Sequence, residues 1–116
     1  MKELAAANVD VSPALGVVLS GFQRFGCRSK QSEAKGNLKA LYVMQESYRA
    51  ESDTYTTNID SLGWKPKGSR YRYEVLSADN SRFKARAVGV DEMAGDEWTI
   101  THKNDLENPR SLCPAE

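Results

Sequence analysis

Long apolar runs are missing from this chain of 116 residues. Its most apolar opening stretch, ELAAANVDVSPALGVVLSGF, is interrupted by Asn8, Asp10 and Pro13. That falls well short of the roughly 18 uninterrupted apolar residues that a transmembrane helix needs. No basic start, apolar centre and small-residue cleavage site follow one another as in a secretory signal. An excess of charge is missing too: 16 basic and 16 acidic residues give a formal net charge of zero. No global field therefore draws the chain onto nucleic acid or anionic lipid. Histidine and cysteine are scarce, and His102, Cys27 and Cys113 form no CxxC or Cys/His cluster, which argues against a zinc site. The cysteines leave two readings open. One is a disulfide joining the two ends of the chain, which implies an oxidising compartment; the other is a pair of reduced thiols.

Catalytic signatures are absent as well. GxSxG, GxGxxG, the phosphate-cradling GxxxxGK and HExxH do not occur. His102 could pair with Cys27 or Cys113, but nothing local supports a nucleophile. Carboxylates are scattered as on a solvated surface, so an enzyme is not expected.

What is present is an ordinary globular composition, 40% hydrophobic and 28% charged, enough for one domain with a modest core. Ser12-Pro13 is a helix start, with a capping hydroxyl and proline at the first helical position. No further proline follows until after Ser52. Ala34, Leu38, Leu41, Gln45 and Tyr48 recur at spacings of three and four, an apolar stripe of helical period. Gly16, Gly21, Gly26 and Gly36 each cost about 1 kcal/mol, which leaves a bend at Gly21 or Gly26 open. Unbroken, the helix has about 38 residues and a length of roughly 57 Å. A domain of this size has a radius of gyration near about 13 Å and cannot cover it. The C-terminal half is expected to pack into the domain and the N-terminal half to project.

Residues 53–69 read as a connector anchored by Leu62 and Trp64. RYRYEVLS, RFKARAV and EWTIT alternate, which predicts a three-stranded antiparallel meander over residues 70–101 with its apolar face under the helix. Residues 102–116 read as a loop-like tail. The expected class is α+β, one long N-terminal helix on a small antiparallel sheet. Residues 1–21 read as an N-terminal arm, partly helical, and residues 22–116 as the domain, with the helix ending near residue 52. The acidic stretch around Gly95 offers Asp91, Glu92 and Asp96 as oxygen ligands for calcium, although a solvated hairpin loop is the plainer reading. No other cofactor is expected. Arg24, Arg28, Lys30, Lys35 and Lys39 make the helix locally basic, a solubilising face first and a ligand surface second. The five tyrosines read as packing residues.

FQRFGCRSKQSEAKGNLKALYVMQESYRAESDTY resembles the type IV pilins and the pseudopilins of type II secretion, with looser likeness in LGWKPKGSRYRYEV and GDEWTITHKNDLEN. The resemblance implies a lollipop: a long helix, half in a membrane or filament core, and a sheet on its other half. It implies a filament subunit that waits in the inner membrane, is assembled by a dedicated platform and ends on the cell surface, serving adhesion or twitching motility. It places subunit contacts at Phe22, Phe25, Arg28 and Lys30. It also sets Glu3 on the family's glutamate, thought to pair with a neighbour's N-terminal amine. The start departs from the family pattern: no cleavage glycine and no phenylalanine precede the arm, and polar residues interrupt it. Two readings fit, an apolar arm replaced to give a soluble form and a copy that has lost membrane insertion; either way the chain is not expected to assemble as it stands, and for an envelope protein its export segment is expected to be missing. Two other functions stay open, a pseudopilin of a secretion piston and a soluble ligand- or DNA-binding module.

Overall fold

The computed structural model describes residues 13–114. One helix, α1 (Pro13–Ser52), precedes a four-stranded antiparallel sheet of β1 (Tyr71–Ala78), β2 (Phe83–Gly89), β3 (Glu97–Thr101) and β4 (Leu106–Arg110). The strands lie in chain order, β1-β2-β3-β4. Single 3-10 turns occupy Ile59–Leu62 and Asp91–Met93.

Pro13 opens α1 where its missing N–H costs nothing. Ser12, the expected cap, lies outside the described residues. The helix has 40 residues and continues without a break through Gly21 and Gly26. It ends at Asp53, which takes a left-handed φ of 60° and returns its N–H to the Arg49 carbonyl at 2.8 Å. Arg49, in the last turn, donates to the Asn80 carbonyl at 2.9 Å and lies over the Tyr55 ring. A cation there also opposes the negative end of the helix dipole. The radius of gyration is 19.2 Å and the principal extents are 65 × 22 × 20 Å. Against about 13 Å for a compact domain, this is a rod with a sheet at one end. No helix among the described residues is long and apolar enough to cross a membrane.

Ala34, Leu38, Leu41 and Gln45 are fully buried, as the stripe requires. They meet Phe83, Ala85 and Ala87 of β2 and Ile100 of β3 in one core. The two alanines leave room for the helix to approach the sheet, and Tyr55 closes the far end edge-on to Phe83 at 5.0 Å. Truncating Leu38 or Leu41 to alanine would cost about 2–5 kcal/mol. Leu62 is buried in the core, and Trp64 packs edge-on against Tyr73 at 5.4 Å, so both expected anchors of the connector hold it down.

Two parts of the sheet differ from the sequence expectation. The alternation of RYRYEVLS is interrupted by a register shift between Val75 and Ser77, while Leu76 is exposed on the outer face, where that alternation puts it. The tail is not a loop: Leu106–Arg110 pairs with β3 as a fourth strand. LENPR hides this because it lacks alternation and contains Pro109, which donates nothing to a ladder and suits an edge position. Asn108 makes up the difference, its side chain donating to the Glu97 carbonyl at 2.6 Å.

Candidate functional site: the neck of the helix

The helix leaves the sheet near residues 27–33, and the chain closes on itself there. Cys27 and Cys113 are joined, with Cα atoms 5.6 Å apart across a sequence separation of 86. Of the two readings open in the sequence, the structure therefore shows the disulfide. With both cysteines joined, no free thiol remains among the described residues. His102 stands at the other end of β3, so the Cys–His pairing is not formed.

Beside the disulfide lies Asp96, fully buried. One carboxylate oxygen accepts from Gln31 Nε2 at 3.0 Å and from the Leu112 amide at 2.9 Å. The other accepts from the Tyr71 hydroxyl at 2.5 Å and from Trp98 Nε1 at 2.9 Å. One side chain thus ties α1, β1, β3 and the tail together. Burial pushes the Asp96 pKa up, but the hydrogen bonds from Tyr71, Leu112, Gln31 and Trp98 outweigh it and hold the carboxyl below its usual range. Burial, then the bond to Asp96, pushes the Tyr71 hydroxyl far above its ordinary value.

A second layer surrounds this clasp. Glu92 accepts from Lys30 Nζ at 3.0 Å and from Arg70 Nε at 3.1 Å. These partners, Lys30 first, lower its pKa. Arg70 also reaches Glu33 at 3.2 Å, and its backbone N–H donates to the same carboxylate at 2.8 Å. Gly68, at φ 84°, makes space for Glu33: a Cβ there would stand 2.4 Å from the carboxylate. Higher on α1, Asn37 brackets the Lys67 backbone, accepting from its N–H at 3.0 Å and donating to its carbonyl at 2.9 Å. Gln45 does the same for Thr56, at 3.1 and 2.7 Å. Amides within an apolar stripe are the signal that could have found these staples, since a buried amide must bond something.

The three calcium candidates do not form a ligand set. Asp96 points inward with both oxygens occupied, Glu92 is held by two cations, and Asp91 is exposed at the start of its turn. No group of three or more metal-ligating side chains occurs among the described residues. The basic helix face is also largely engaged. Lys30 pairs with Glu92, Lys39 donates to Asn104 at 2.9 Å, and Lys35 lies 5.5 Å over the Trp98 ring. Of the expected subunit contacts, Lys30 is in this network and Arg28 is exposed on the same turn. Phe22 and Phe25 lie on α1 below the neck, where only the backbone is described. Glu3 lies outside the described residues.

Residues 25–104 match the family model described as Type IV pilin PilA. The chain is 34% identical over 101 residues to the type IV major pilin protein PilA of Myxococcus xanthus (strain DK1622), covering 80% of this chain and 46% of that protein. It thus spans about half the length of the curated relative it matches. The non-core minor pilin PilV of Neisseria meningitidis shares the fold at a TM-score of 0.59 and 14% identity, over 83% of this chain and 97% of that one.

Proposed function

This chain belongs to the type IV pilin PilA family, a family of structural subunits rather than enzymes, and from that membership we propose that it builds a type IV pilus by helix–helix polymerisation. The observation that carries the proposal is the shape of α1. Its stretch beyond the neck, from Pro13 to Gly26, extends away from a sheet that could not cover it. A projecting helix and a separate head make head-to-tail contacts that need not close, the arrangement that gives an open filament. Phe22, Phe25, Arg28 and Lys30 are the contacts proposed for neighbouring copies, and Glu3 the partner of a neighbour's N-terminal amine. The clasp at the neck sets the angle between helix and head that every copy must share. Surface display, an inner-membrane stage, an assembly platform and a role in adhesion or twitching belong to the same proposal. The pseudopilin reading is not favoured, since the family model and both relatives are pilins.

Filaments sheared from the source cells test it, by mass spectrometry of peptides from Ala40 to Arg72 alongside electron microscopy. Such peptides in long surface fibres are the expected result. Peptides confined to an envelope without fibres would move the assignment to a secretion piston, and peptides in the cytoplasm alone would sink the filament reading.

A further inference from the structure

We propose that the hollow at the end of the sheet far from the neck binds an acidic sugar, a ligand carrying one carboxylate among several hydroxyls. The hollow has a volume of about 480 Å³ and lies between the β1–β2 hairpin tip and the β3–β4 turn. That volume falls within the range of small-ligand sites. Arg82, Lys84 and Lys103 line it. Lys84 and Lys103 have no side-chain partner among the described residues and Arg82 feels only the nearby charge of Asp79, whereas Lys30, Arg70, Arg86 and Arg110 each hold a carboxylate. The sheet register sets a rung across the hollow, with Lys84 opposite both Ser77 and Thr101. The bulge at Leu76 shifts the β1–β2 register just before the rung that crosses the hollow.

The lining is mixed, and the mixture selects the ligand. Two unpaired lysines together with Arg82 suit a carboxylate, most strongly through a bidentate contact to Arg82. Asp79 and Asp105 also line the hollow, as do the hydroxyls of Ser77 and Thr101. Asp79 is fixed by the Ser81 and Arg82 amides at 2.8 and 2.7 Å, both on one oxygen, and its other oxygen takes no hydrogen bond among the described residues. Sugar hydroxyls satisfy such acceptors. A nucleic-acid backbone or polyphosphate, with a charge at every repeat, would set its charges against the two carboxylates. Unpaired cations elsewhere are dispersed: Lys67 and Arg72 line separate, smaller hollows. The inference does not depend on the filament reading, because the hollow lies within a single chain.

The test is nitrogen-15 NMR of the full chain titrated with glucuronate, glucose, acetate and inorganic phosphate. Saturable shifts at residues 82–84 and 101–103 with glucuronate alone, persisting at about 0.15 M salt, are expected. Lys84→Ala and Lys103→Ala, both exposed, should each weaken binding on the order of tenfold, the size of one charge-assisted contact, with an unchanged melting temperature. No saturable shift in the millimolar range would overturn the proposal. So would an equal response to phosphate or acetate, which marks a generic anion site, or binding that survives both substitutions.

Discussion

At neutral pH the Asp96 carboxylate sits in the protein interior with no cation paired to it among the described residues, only four neutral donors. Because its pKa is lower folded than unfolded, the native state binds fewer protons near the acid range. Its stabilising contribution is present above the ordinary aspartate value near about 4. It is lost as pH falls through the lower folded value. Urea midpoints at pH 7 and pH 3 should therefore fall steeply for the native chain. Asp96→Asn keeps the shape but sets an NH₂ against donors, costing about 1–3 kcal/mol at pH 7, and should narrow the gap between the two midpoints. An equal gap in both proteins would mean the acid loss lies in other carboxylates. Gly89 makes a different demand. A Cβ there would stand 1.9 Å from the Met93 carbonyl oxygen, which is backbone and cannot swing away. Gly89→Ala should cost about 1–3 kcal/mol by overpacking, read as a lower denaturant midpoint with an unchanged slope.

For the helix, Gly36 is instructive. It lies mid-helix and exposed, and a Cβ would meet nothing within 4 Å. Gly36→Ala should therefore stabilise the isolated chain by about 1 kcal/mol, a rise in melting temperature of about 4–8 °C for a domain of this size. If that variant melts higher yet forms fewer filaments in its cells, the bare position serves a neighbouring copy. Unchanged filaments would make it a plain defect in helix propensity. The stripe that buries α1 was legible because Leu38 and Leu41 repeat at the helical period. Of its amides only Gln45 was legible, as a member of the stripe. That Gln45 brackets Thr56 and Asn37 brackets Lys67 depends on where the connector returns, and periodicity does not encode that path. β4 escaped for the opposite reason. Its pairing rests on backbone and on Asn108, with little apolar signal to read.

Across the whole molecule the disulfide encloses nearly the entire head, from the neck to the tail. A closed loop with a separation of 86 residues is worth about 4–5 kcal/mol in the chain-entropy model, though removed native disulfides typically cost about 2–5 kcal/mol. The double variant Cys27→Ser with Cys113→Ser should melt lower by that amount in guanidinium titrations. The tail should loosen first, because Leu112 and Ser111 then hold to Asp96 and Gln31 by hydrogen bonds alone. Hydrogen exchange that rises at residues 106–112 before the core of β2 would bear this out. Uniform exchange would show that the clasp is no separate unit.

The sequence by itself determined the helix, its length beyond what one head can cover, the inward faces of β1 to β3 and the family, because each is written in local period or in contiguous residues. Only the tertiary structure decided that Cys27 meets Cys113, that Asp96 turns inward rather than toward a metal, and that LENPR is a strand. Each of these depends on which distant segments the fold brings together. A buried carboxylate and a solvated one have the same letter in the chain, and only their neighbours separate them.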